Sequence, residues 1–210
     1  MQPTRLILCR HGESEGNRDR RFGGHGPAPL TERGRAQALA TGARLQRRGV
    51  DVLYSSDLPR ALQTAELIGR ELALAPQLSP ALRERSVGIF TGLSFDEARE
   101  QYPEAYGVLL RREPDAAPPE GESYLDCQAR VAEFLGHALT EHAGQRILLV
   151  SHHLTLHLVV MHILGMPLTA AGPKVYVQIH NCALHRFERY DDGNWQLLAL
   201  NDTTHLTGLL

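Results

Sequence analysis

Residues 6–9, Leu-Ile-Leu-Cys, form an unbroken apolar run that ends in Arg10-His11-Gly12-Glu13. Such a run has no polar face, so it predicts a strand buried on both sides, as in parallel sheets, with charged residues delivered at its C-terminal end. Residues 147–150, Ile-Leu-Leu-Val, repeat the pattern and end in Ser151-His152-His153 ahead of an apolar helix over 154–164. Between them, residues 50–54 read as a second strand, and 78–82 as a weaker third one leading into Arg83-Glu84-Arg85. Helices alternate with these strands. Thr31 can cap one running to about residue 48, where Gly49 stops it, and Ala36, Leu39, Ala40 and Ala43 lie at helical spacing along it. Ser55, Ser56 and Asp57 offer caps for a helix with Pro59 in its first turn, running to about 72. Ser94 with Glu97 makes a capping box for a short helix to about 102, and Ser123 opens a long one to about 142.

Residues 20–29 and 111–121 are rich in glycine and proline and read as loops. Residues 176–190 and 195–200, joined through Asp191-Asp192-Gly193-Asn194, have the turn chemistry of a β-hairpin. The alternation predicts an α/β fold: a three-layer α/β/α sandwich with a mainly parallel sheet, the hairpin adding antiparallel strands at one side. The expected organisation is a single domain over residues 1–210 with a cap insertion at about 86–120. In this architecture the loops after the strand C-termini converge, and ligands bind there.

At 210 residues, with 42% hydrophobic and 22% charged positions, the chain can bury one sizeable core. Lys and Arg number 22 against 24 Asp and Glu, a formal charge of −2, so no global field recruits nucleic acid or an anionic membrane. The arginines at 18, 20 and 21 and within 44–48 are balanced by acidic residues and lack interleaved aromatics for base stacking. Cys9, Cys127 and Cys182 are odd in number and lack metal-type spacing, which favours a reducing, cytoplasmic setting. The apolar run at 6–9 is too short for a signal-peptide core, and no run approaches the ~18 apolar residues of a membrane span.

Four strand ends carry matching chemistry: Arg10 and His11 after the first, Arg60 after the second, Glu84 after the third, and His152 after the long fourth. Arginine forks match phosphate oxygens bidentately and stabilise charge on a transferring phosphoryl group. A neutral imidazole can attack phosphorus, and neighbouring arginines favour that neutral form. A carboxylic acid can then protonate the departing alkoxide and later take a proton from the attacking water. His153 and His157, four apart on the expected helix, share a face, but no nearby Asp, Glu or Cys completes a metal site.

The blocks Leu8-Cys9-Arg10-His11-Gly12-Glu13-Ser14 with Asn17, and Ser55-Ser56-Asp57-Leu58-Pro59-Arg60-Ala61 with Gln63-Thr64-Ala65, resemble those of the histidine phosphatase superfamily, which includes cofactor-dependent phosphoglycerate mutases. Leu82-Arg83-Glu84, Gly121-Glu122-Ser123, Val150-Ser151-His152 and Asn181-Cys182 follow in the family's order, so the resemblance spans about residues 4–206. It implies a phosphoglycerate mutase-like fold, His11 as phosphorylated nucleophile, and Glu84 as proton donor. It implies a phosphate pocket of Arg10, Arg60 and His152 with Asn17 as a further contact, and no metal or organic cofactor for hydrolysis. The chain departs from the family at His153, in place of the usual glycine, where the ring would line the pocket rim or donate to the substrate. It departs also at Cys9, where a thiol packs, and at Thr91, where glutamate is frequent.

The function implied is a metal-independent phosphomonoester phosphatase acting through phosphohistidine on a small phosphorylated metabolite; the alternative is a cofactor-dependent phosphoglycerate mutase. Glu84-Arg85-Ser86-Val87-Gly88 lacks the tyrosine of the mutase branch, and little chain follows His205-Leu206 to close over the site, which favours the phosphatase. Arg111-Arg112 pulls the other way, as a basic pair able to grip a carboxylate or second phosphate, or is a solvated pair. The C-terminal hairpin offers an edge on which two copies could pair as a homodimer.

Overall fold

The computed structural model describes residues 2–168 and 176–210. A six-stranded sheet has the order β3-β2-β4-β1-β5-β6, built from β1 (Thr4–Arg10), β2 (Val52–Ser55), β3 (Gln77–Leu78), β4 (Arg146–Ser151), β5 (Leu184–Arg189) and β6 (Trp195–Asp202). The first four are mutually parallel, and β5 and β6 add antiparallel, as the hairpin pattern predicts.

The alternating sides of the apolar strands explain the layers. Leu6, Leu8, Ile147 and Leu149 face one way and pack with Val131 and Leu135 of α6 (Tyr124–Glu141) and Leu156 and Val160 of α7 (His153–Ile163). Ile7, Cys9, Leu148 and Val150 face the other way, onto Leu45 of α2 (Glu32–Gln46) and Ala61, Ala65 and Ile68 of α3 (Pro59–Leu72). Burying a leucine or isoleucine side chain contributes roughly 1.5–3 kcal/mol, so two filled layers hold the central strands from both faces. Thr31 and Ser123 cap α2 and α6 as expected, and Ser94 with Glu97 forms the capping box of α4 (Phe95–Gln101). A short α1 (Glu15–Arg18) follows β1.

Three expectations differ. The third strand is only Gln77–Leu78, because Pro80 cannot donate to a ladder and instead opens a 3-10 turn, Pro80–Leu82. The hairpin's first strand begins at Leu184, and residues 176–183 are irregular. Ser55, Ser56 and Asp57 do not cap α3, whose N-cap is Leu58. A helix the pattern did not single out, α5 (Pro103–Arg111), follows α4, and the two join Val87 and Phe90 in a separate apolar cluster with Phe22.

Gly12 and Gly34 let the turn after β1 lie directly on the start of α2: a Cβ on Gly12 would collide with the Gly34 carbonyl, and one on Gly34 with the Glu13 carbonyl. This contact fixes where the chain leaves β1. Among the described residues no helix is long and apolar enough to cross a membrane.

Candidate active site

Arg10, His11, Asn17, Arg60, Glu84 and His153 all line one cleft of about 530 Å³ at the C-terminal ends of the parallel strands. His152 does not line it. Fully buried, it sits behind His11, the ring centroids 5.1 Å apart.

The hydrogen bonds fix the tautomer of His11. His11 Nδ1 lies 2.7 Å from the Gly12 carbonyl, which can only accept, so Nδ1 carries the proton and Nε2 presents a lone pair. Arg60 Nε donates to that Nε2 at 3.3 Å. His152 Nε2 lies 2.8 Å from Ser56 Oγ, a hydroxyl that also accepts Leu58 N–H and can either donate to that nitrogen or accept from it, while His152 Nδ1 is buried with no partner among the described residues. The His11 lone pair is the attacking atom this arrangement offers. Burial first, then the Arg60 and Arg10 charges, hold His11 well below the usual imidazole range; burial and Arg60 do the same for His152.

Each arginine is anchored through part of its fork. Arg60 gives its two terminal nitrogens to the carbonyls of Gly26 (3.1 Å) and Gly24 (2.8 Å), the latter at φ +40, a conformation that suits glycine. Its backbone carbonyl accepts from Thr64 Oγ1, which in turn accepts Gly12 N–H, tying α3 to the turn that carries His11. Arg10 donates to Ile179 O at 2.8 Å, while its buried Nε has no partner among the described residues. Arg10 keeps part of its surface open to the cleft, yet the surrounding protein lowers its pKa to about 10, against the raising effect of Glu84. It stays cationic at neutral pH.

Glu84 is fixed without a strand beneath it. Leu82 O accepts from Ser151 Oγ (2.7 Å), Ala81 O from Arg130 (2.7 Å), and Arg83 pairs with Asp57. The Glu84 carbonyl meets His25 Nε2 at 2.8 Å, and its carboxylate accepts the N–H groups of Leu154 (3.2 Å) and Thr155 (3.1 Å) in the first turn of α7. That turn exposes donors that a carboxylate satisfies. Glu122, from the Gly121-Glu122-Ser123 block, accepts from Ser86 N–H and from Arg130, and so holds the same segment from below.

Asn17 stands at the cleft rim. Its Oδ1 accepts from Ser14 N–H and from Asn181 Nδ2, and Asn181 also donates to His11 O at 2.8 Å. The Asn17 amide nitrogen keeps its donors for the cleft. His153 is half-buried with its pKa lowered to about 4 by burial and Arg10, and its ring and that of His157 lie against Tyr176, at 5.5 and 4.6 Å. Arg111 pairs with Glu113 at the surface, whereas Arg112 lines the cleft with its guanidinium 5.0 Å from the Tyr176 ring centre.

Sequence reasoning gave no role to Ser56, Thr155 or Asn181, which orient His152, Glu84 and His11 respectively. Thr155 left a legible signal, a hydroxyl residue set between Leu154 and Leu156 at the start of α7. Ser56 was hidden by its resemblance to a helix cap.

Similarities to known proteins agree with this geometry. The chain is 32% identical over 205 residues to the Escherichia fergusonii protein named Probable phosphoglycerate mutase GpmB, covering 96% of this chain and 94% of that one. Its fold is similar to that of Bacillus stearothermophilus YhfR (TM-score 0.87, 30% identity, 97% and 99% coverage). It is similar also to the alpha-ribazole phosphatase of Shigella flexneri (TM-score 0.85, 29% identity, 94% and 96% coverage). The Escherichia fergusonii relative is named as a mutase and the Shigella flexneri structure as a phosphatase. The sequence model of the histidine phosphatase superfamily (branch 1) matches residues 6–203, and with the paired imidazoles and arginines already at the strand ends, the chain belongs to that superfamily.

Proposed function

We propose that the protein hydrolyses a small phosphomonoester through phosphorylated His11, within a single domain whose cap is formed by residues 86–120. The observation that carries this reading is the His11 Nε2 lone pair, set by the Gly12 carbonyl at Nδ1 and held beside Arg60 in the arginine-lined cleft.

In the first step His11 Nε2 attacks phosphorus as the bond to the leaving oxygen breaks. Arg10, Arg60 and Asn17, which line the cleft, supply donors to the equatorial oxygens with His152 packed behind His11, and Glu84 gives a proton to the leaving oxygen. The alcohol departs. In the second step water attacks phosphohistidine, the Glu84 carboxylate takes its proton, the P–N bond breaks, and orthophosphate leaves with His11 neutral again.

The mutase reading is favoured by Arg112, a cap arginine with no carboxylate partner among the described residues, and by the name of the E. fergusonii relative. Against it, Leu206 and Leu209 are held on α2, where Arg33 and Gln37 donate to Leu209 O, and neither residue lines the cleft. That segment does not screen the site from water.

The test is orthophosphate release from p-nitrophenyl phosphate, sugar phosphates and 3-phosphoglycerate in EDTA, comparing the parent with His11→Ala. Release that persists in EDTA and vanishes in His11→Ala supports the hydrolase. Absence of release, with phosphoryl transfer from 2,3-bisphosphoglycerate to a phosphoglycerate, supports the mutase.

A further inference from the structure

The cleft has two chemically different walls. The floor carries Arg10, Arg60 and the imidazoles, and the cap side carries carbon: Phe22, Phe95, Tyr106, Leu109 and Leu110 all line it. Helix α5 buries none of its residues although it carries Tyr106, Val108, Leu109 and Leu110. Leu110 is 63% exposed and Phe95 41% exposed. A patch of large apolar side chains continuous with a phosphate-type cation site is a surface awaiting a ligand that is polar at one end only.

The patch is preorganised. Phe22 stands edge-on to Phe95 (4.8 Å) and Tyr106 (6.4 Å) and is backed by Phe90 (5.7 Å), so the ring faces need not rearrange when covered. The cations nearest it are largely committed elsewhere. Arg21 donates to Glu97 and Gly92 O, and Arg85 donates to Glu122 O with its guanidinium over Tyr124. Among the described residues Arg112 alone remains on that side.

We propose that the ester cleaved here carries an aromatic or broad aliphatic alcohol portion, packed on the wall of Phe22, Phe95, Tyr106, Leu109 and Leu110 while its phosphate lies on the arginine floor. This rests on the phosphatase reading above and specifies its substrate class. Burial of roughly 60 Å² of apolar surface corresponds to about a tenfold gain in affinity, and one face of a phenyl group supplies an area of that order.

The experiment compares kcat/KM for 2-phenylethyl phosphate, glycerol 3-phosphate and 3-phosphoglycerate. All three leave through a primary alkyl oxygen, so leaving-group chemistry is matched and the ratio reports the wall. The expected result is a preference of about tenfold or more for the phenylethyl ester. Leu110→Asp shrinks that ratio mainly through KM, and Leu198→Asp, on exposed β6 away from the cleft, retains it; thermal melts check that both variants fold. Equal or faster turnover of the two polar esters by the parent, or an undiminished ratio in Leu110→Asp, overturns this inference and leaves the phosphatase reading standing. Release from none of the three overturns that reading, and the inference with it.

Discussion

His185 makes stability depend on acid in a way that can be calculated. It lies on β5 opposite Leu8, is fully buried, and accepts Asn201 N–H at Nδ1 (3.2 Å), so its proton sits on Nε2, which has no partner among the described residues. A second proton would have to enter at Nδ1, facing the Asn201 donor. Burial, with a smaller contribution from His153, lowers its pKa from the ordinary 6.5 to about 4. The folded pKa is the lower one, so the unfolded chain binds protons first, and stability is intact above pH 6.5 and falls as the pH drops towards 4. At pH 5 the unfolded site is almost fully protonated and the folded site about one-tenth protonated, and integrating from pH 8 gives a loss of about 2 kcal/mol, of which under about 1 kcal/mol has accrued by pH 6. His185→Gln keeps an acceptor for Asn201 N–H and cannot titrate. Urea unfolding of parent and variant at pH 8, 6 and 5 reads the difference directly. The parent should lose about 2 kcal/mol more than the variant between pH 8 and 5, and the other depressed histidines cancel because both proteins share them. Parallel pH profiles would refute the reasoning.

Other predictions concern the site. Glu84→Gln should lower kcat/KM for an alkyl phosphate by about 10²–10⁴, and for p-nitrophenyl phosphate by less than about tenfold, because a nitrophenolate leaves without a proton. Equal losses on both esters would remove Glu84 from proton transfer. Arg60→Lys keeps the charge but loses the fork that reaches Gly24, Gly26 and His11 at once, and kcat/KM should fall by about 10²–10³ in steady-state assays. Because burial and two arginines hold His11 well below 6.5, kcat/KM should show no break near pH 6.5 from protonation of the nucleophile; an acid limb centred there would contradict a buried neutral imidazole.

The main layers were legible because each depends on local pattern. The apolar runs at 6–9 and 147–150 are strands because both faces are covered, and Thr31, Ser94 and Ser123 cap helices through side-chain bonds within three residues. The segment before Glu84 was not legible as built. It is shaped by Arg130, Ser151 and Glu122, all distant in sequence, and these replace the ladder that Pro80 interrupts. Helix α5 escaped notice because it is short and its apolar residues, none of them buried, are shared between the small Val87–Phe90 cluster and the cleft. Of the site, residue identities could be read from motif and chemistry. The tautomer of His11 could not, since it depends on the Gly12 carbonyl.

The account stands or falls on covalent transfer to His11 Nε2. The most direct test is a rapid single turnover with a phosphomonoester, quenched in base and followed by peptide mass spectrometry, in parent and His11→Ala. One phosphoryl group on the peptide containing His11, appearing before orthophosphate, decaying as it accumulates and absent from the variant, is the predicted result. Orthophosphate released at parental rate by His11→Ala, with no phosphorylated peptide in either protein, would contradict it.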